Sequence, residues 1–64
     1  MKFWEASYEI AMDDIIFREE TVKIAAPKIY KKIKVIDIIT KVHPEWKNIT
    51  IKRCKKPENW LLFK

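Results

Sequence analysis

The chain has 64 residues, 48% of them hydrophobic and 36% charged, with a formal net charge of +5 and no glycine. That length predicts one domain over residues 1–64, since ordinary domains take roughly 100–200 residues, and the apolar share is that of a folded unit and excludes a disordered tail. The missing glycine excludes phosphate-cradling loops, dinucleotide fingerprints and nucleophile elbows in their usual forms, and no apolar run approaches the roughly 20 residues of a membrane-crossing helix.

The first segment alternates with period two. Trp4, Ala6, Tyr8 and Ile10 share one face while Phe3, Glu5, Ser7 and Glu9 share the other, as in a half-buried strand. Met12-Asp13-Asp14 supplies a turn, and Ile15–Ala25 reads as the returning strand, so residues 2–25 form a hairpin. The apolar phase slips within that second strand: Ile15 and Phe17 are odd, Val22 and Ile24 even. A one-residue bulge near Arg18–Glu20 would return both sets to the core side.

Pro27 suits the first turn of a helix and Pro44 cannot continue one, which predicts a helix over residues 27–43 despite many β-branched residues. Ile29, Ile33, Ile36 and Thr40 form one stripe and Val35, Ile38 and Val42 a second. A small sheet needs only one of these faces. The second stripe is therefore either an extension of a broad core face or a patch through which two copies form a homodimer. His43, at the helix end, reads as a capping residue favoured by the helix dipole.

Asn48–Cys54 alternates again, with Ile49 and Ile51 inward, as a third strand. Pro57-Glu58-Asn59 signals a turn, and Trp60–Phe63 is either a short fourth strand or an apolar tail. The expected fold is α+β, in the order β-β-α-β, with one helix packed on a small, mainly antiparallel sheet.

The inventory points away from catalysis. One histidine and one cysteine cannot make a Cys/His metal site, and no third member completes a nucleophilic arrangement around Cys54 and His43. The paired acids Asp13-Asp14 and Glu19-Glu20 read as solvated turn and strand-edge residues, so neither a cofactor nor a metal is expected. A single cysteine fits a reducing compartment, and Met1–Glu5 lacks the pattern of a secretory signal, which predicts the cytoplasm.

Charge is the strongest functional signal. Residues 1–27 carry six acids and three bases, net −3, and residues 28–64 carry eleven bases and three acids, net +8. Such polarity bears on association and steering. Lys28, Lys31, Lys32, Lys34 and Lys41 would form a basic helix face able to neutralise phosphates without reading sequence, while Lys52, Arg53, Lys55 and Lys56 cluster around the third strand.

Lys2-Phe3-Trp4 with Ala6, the strand ending Ile24-Ala25-Ala26, the helix, and Ile49-Thr50-Ile51-Lys52-Arg53-Cys54 with a proline following resemble the small podovirus proteins that inhibit host RNA polymerase. That family has nearly this length and the same element order, and docks through strand-borne basic residues beside an acidic strip. The resemblance implies Lys52 and Arg53 as basic contacts and Glu19 and Glu20 as the acidic strip; Lys55 and Lys56, of the same basic cluster, are expected to join the partner contact. The helix departs from the pattern, being basic and β-branched where the family's is acidic and alanine-rich, and so does the apolar tail.

Short phage proteins of this element order also include anti-CRISPR and other anti-defence inhibitors. The leading expectation is a non-enzymatic phage-type inhibitor docking on a host protein or ribonucleoprotein complex. A sequence-independent DNA or RNA binder and a homodimeric interaction module are the alternatives.

Overall fold

The computed structural model describes residues 1–63. Two long strands, β1 (Lys2–Ala11) and β2 (Phe17–Ala26), are followed by helix α1 (Lys32–Val42), strand β3 (Lys47–Arg53) and a two-residue strand β4 (Leu61–Leu62). The sheet order is β3-β1-β2-β4. β1 is antiparallel to both β2 and β3, and β4 adds parallel to β2 at Ile24 and Ala25. The expected α+β fold is present, with the last strand formed, and among the described residues no helix is long and apolar enough to cross a membrane.

The hairpin register runs unbroken from Lys2 opposite Ala26 to Ala11 opposite Phe17. The bulge expected near Arg18–Glu20 is therefore absent. Ile15 and Ile16 belong to the loop, closed by the Met12 and Asp13 amides donating to the Ile16 carbonyl at 2.8 and 3.2 Å. None of the described residues covers this end of the sheet, so Ile15, Ile16 and Phe17 stay exposed and the slipped phase needs no correction.

The irregularity lies between β1 and β3 instead. Tyr8 alone stands where β3 has both Asn48 and Ile49, and Asn48 takes φ 51°. Asparagine is among the few residues that visit this left-handed region readily, and its side chain donates to Glu9 Oε1 at 3.1 Å.

The helix is shorter than the expected 27–43. The Tyr30 amide closes a turn on the Pro27 carbonyl at 3.0 Å, and Lys31 is extended, which delays the first helical residue to Lys32. At the other end the His43 amide donates to the Ile39 carbonyl at 2.8 Å before Pro44 stops propagation.

The two apolar stripes exchange roles. Val35 and Ile39 are fully buried against Trp4, Ile24, Ile51, Trp46 and Phe63, with Ile36 and Ile38 half-buried beside them, whereas Ile33 is 84% and Ile29 85% exposed. Of the two readings of the Val35, Ile38 and Val42 stripe, burial favours the core face over the dimer patch: Val35 is core, Ile38 packs against the core and only Val42 is largely exposed. The place of Asp37 favours this rotation. With Val35 and Ile39 inward, Asp37 and Lys41 point away from the sheet and pair at 3.1 Å. Turning the Ile33–Thr40 stripe inward would bring Asp37 within roughly 70° of the core direction, at 100° per residue, and a charge there would lose its water.

Candidate docking surfaces

The register places chemistry-bearing side chains on three regions. On the sheet face away from the helix, Glu5 of β1 receives Lys23 of β2 at 2.7 Å and Lys52 of β3 at 3.2 Å. The Lys23 hydrogen bond, then that of Lys52, holds the Glu5 carboxyl below its ordinary range, and the Glu5 bond in turn raises Lys23. Ser7 and Thr21 face one another at 3.4 Å further along, and beyond them Glu9 stands opposite Glu19. One carboxylate between two lysines leaves this centre with a net charge of +1, and that partial neutralisation weakens it as a basic contact.

Strand alternation divides the residues singled out from the sequence. Lys52 lies on the outer face in its bridge to Glu5, while Arg53 lies on the helix face with its guanidinium 5.4 Å from the Trp4 ring centre. Glu19 is on the outer face, and Glu20 on the other, paired with Arg18 at 2.7 Å. Glu19 and Lys52 align with β1 positions four residues apart, Glu9 and Glu5, so they are separated along the strands by about 13 Å. The proposed acidic strip and basic contacts are not brought together.

A basic region does form elsewhere. Lys2 pairs opposite Ala26, Arg53 opposite Trp4, and the Cys54 amide donates to the Phe3 carbonyl at 3.0 Å, so β1 begins where β2 and β3 end. The segments leaving this end of the sheet carry Lys28, Lys31, Lys32 and Lys34 on one side and Lys55 and Lys56 on the other. Among the described residues none of these, nor Lys2 or Arg53, enters an ion pair. Lys34 and Lys56 lie over the rings of Tyr30 and Trp60, at 5.7 and 5.6 Å. Lys41 is held by Asp37 at the far end of the helix and does not join them.

The helix start is built against local preference. Lys31 provides no side-chain cap, and the first turn contains no acid. Lysines at the positive end of a helix dipole cost stability, so tertiary packing of Val35 and Ile39 must hold this turn in place. Beside it Ile29, Lys31, Lys32, Ile33, Lys34 and Asp37 line an open depression of about 670 Å³. Its lining exposes the aliphatic side chains of Ile29 and Ile33 together with three lysines against one acid.

The hairpin loop is the opposite pole of a molecule 37 Å in its longest extent. Met12, Ile15, Ile16 and Phe17 are exposed there beside Asp13, Asp14 and Glu19, none of which has an ion pair among the described residues.

A feature that periodicity did not reveal is an aromatic stack. Tyr8 and Trp46 lie parallel at 3.7 Å, Trp46 and His43 at 4.0 Å, and Phe63 meets His43 edge-on at 6.2 Å. Burial, above all, raises the Tyr8 hydroxyl pKa. His43 contacts Glu45 Oε2 at 3.1 Å, and the stack fixes the chain between α1 and β3. The Glu5–Lys23 pair, by contrast, was within reach of the sequence. A hairpin centred on Asp14 already sets Glu5 opposite Lys23.

Comparison with protein-family models, with curated proteins and with solved structures finds no match for this chain.

Proposed function

We propose that the protein is a non-enzymatic docking protein that binds a partner protein through its basic end, the partner surface being acidic at its rim and apolar at its centre. The observation that carries this reading is the pair Ile29 and Ile33, 85% and 84% exposed among Lys28, Lys31, Lys32 and Lys34. Phosphate groups offer nothing to an isoleucine, whereas a protein interface characteristically joins an apolar centre to a polar rim. Arg53, Lys55 and Lys56 extend the same end, while Lys52, partly neutralised by the Glu5 it shares with Lys23, contributes less than its strand position suggests.

In keeping with the resemblance to phage-encoded inhibitors, the partner is a host nucleic-acid-handling machine, a polymerase or a CRISPR-type defence complex, blocked in the cytoplasm by occupation of an acidic surface. Immobilised protein should retain such a complex from nuclease-treated bacterial lysate. Ile29→Ser/Ile33→Ser should lose it while still unfolding cooperatively within about 1 kcal/mol of wild type, and Lys31→Glu/Lys32→Glu should lose it with an unfolding temperature at or above wild type, since acids suit a helix N-terminus. Retention unaffected by the isoleucine pair would sink the protein-docking reading.

Direct binding of nucleic acid is the second reading, favoured by the cluster of cations without ion-pair partners. It predicts retention on duplex DNA that falls steeply between low and physiological salt. It also predicts indifference to Ile29→Ser/Ile33→Ser, which separates the two.

A further inference from the structure

We propose that copies of this chain associate head to tail, the hairpin tip of one molecule seating on the Ile29–Ile33 depression of the next. Both poles expose aliphatic side chains beside charged ones, and the charges are mainly acidic at the tip, where Arg18 is paired with Glu20, and mainly basic at the other pole. At the tip Ile15 is 87% and Ile16 55% exposed beside Asp13, Asp14 and Glu19. At the other pole Ile29 and Ile33 stand among Lys31, Lys32 and Lys34.

Pairings of like poles are disfavoured, since tip against tip opposes aspartates and base against base opposes lysines. The favourable contact joins two different patches, and between poles at opposite ends of an extended body it leaves one of each unsatisfied. Seated end to end, the copies form an open chain, each adding up to 37 Å, whereas antiparallel side-by-side pairing would close at a dimer whose maximum dimension stays near that of one copy. A five-residue loop on a six-residue depression is far below the ~20–30 residues per side of standard stable complexes, so assembly appears only at high concentration. The net charge of +5 opposes it at long range. Salt screens that repulsion and the polar attraction together, which makes charge exchange a cleaner probe than a salt titration.

The test uses two variants altered at exposed positions, Asp14→Lys/Glu19→Lys at the tip and Lys31→Glu/Lys32→Glu/Lys34→Glu at the base, followed by sedimentation and small-angle scattering up to millimolar protein. Wild type should show a rising average mass and a maximum dimension that grows in steps of up to 37 Å. Each variant alone should remain monomeric, and an equimolar mixture should regain association because both junctions are again complementary. Adding Ile15→Ser to both partners should remove it, which excludes attraction by net charge alone. A strictly monomeric wild type, or variants that associate alone as wild type does, would overturn the proposal. The tip variant leaves the basic pole intact, so it should still capture the partner proposed above, and failure of self-association leaves that reading standing.

Discussion

Replacing Ile39 by alanine tests the helix rotation on which the exposed basic pole depends. Ile39 has no accessible surface and closes the core with Val35, Trp46 and Phe63, so truncation removes its transfer energy and leaves a cavity. Such changes cost about 2–5 kcal/mol, against a total of roughly 3–10 kcal/mol for a chain this short at ~0.05–0.15 kcal/mol per residue. The control is Ile33→Ala. At 84% exposure little burial is lost there, and alanine is the better helix former, so stability should stay within about 0.5 kcal/mol of wild type and shift upward. Urea unfolding followed by tryptophan fluorescence and circular dichroism reads both. With a slope near ~1 kcal/mol/M, Ile39→Ala should lower the midpoint by about 2 M or more, and Ile33→Ala should leave it within about 0.5 M. Equal costs, or a larger cost at Ile33, would place the Ile33–Thr40 stripe in the core and withdraw the Ile29–Ile33 surface from solvent.

Glu5→Gln should flatten the pH dependence of the melting temperature at both limbs. The depressed Glu5 carboxyl stabilises the fold above its ordinary value of 4.5 and ceases to as pH falls through the lower folded value. The raised Lys23 stabilises below its ordinary 10.5, a contribution lost as pH rises through the higher folded value; unchanged limbs in the variant would contradict the bridge. Trp4→Phe should stay within about 1 kcal/mol of wild type, because the buried indole N–H has no acceptor among the described residues, and removing an unsatisfied donor offsets the lost ring volume. Thermal unfolding should show Trp4→Ala far worse, by about 3–5 kcal/mol. At Asn48, whose φ is 51°, valine should cost about 1–3 kcal/mol and glycine much less, which the same melts would detect.

Much of the architecture was legible in the residues themselves. Period-two alternation in Lys2–Ile10 and Ile49–Ile51, with turn residues at Asp13-Asp14 and Pro57–Asn59, located three strands and their order, and Pro27 and Pro44 bracketed the helix. The candidate surface was legible only as charge polarity. Lys52 and Arg53, adjacent in the chain, look like one basic contact until the pleat sends them to opposite faces. Lys52 loses its prominence only once β1 carries Glu5 between it and Lys23.

The choice of helix face was not legible in apolar periodicity, although the place of Asp37 on the helix weighs against one of the two stripes. Two apolar stripes of comparable strength share α1, and periodicity ranks neither. Burial of Val35 and Ile39 follows from residues distant in the chain, Trp4, Ile24, Trp46 and Phe63, and from the need to keep Asp37 in water. Alternation, proline placement and charge polarity are properties of neighbouring residues and can be read before folding. Which stripe is covered, and so which isoleucines remain in solvent, depends on contacts that exist only after the sheet has formed.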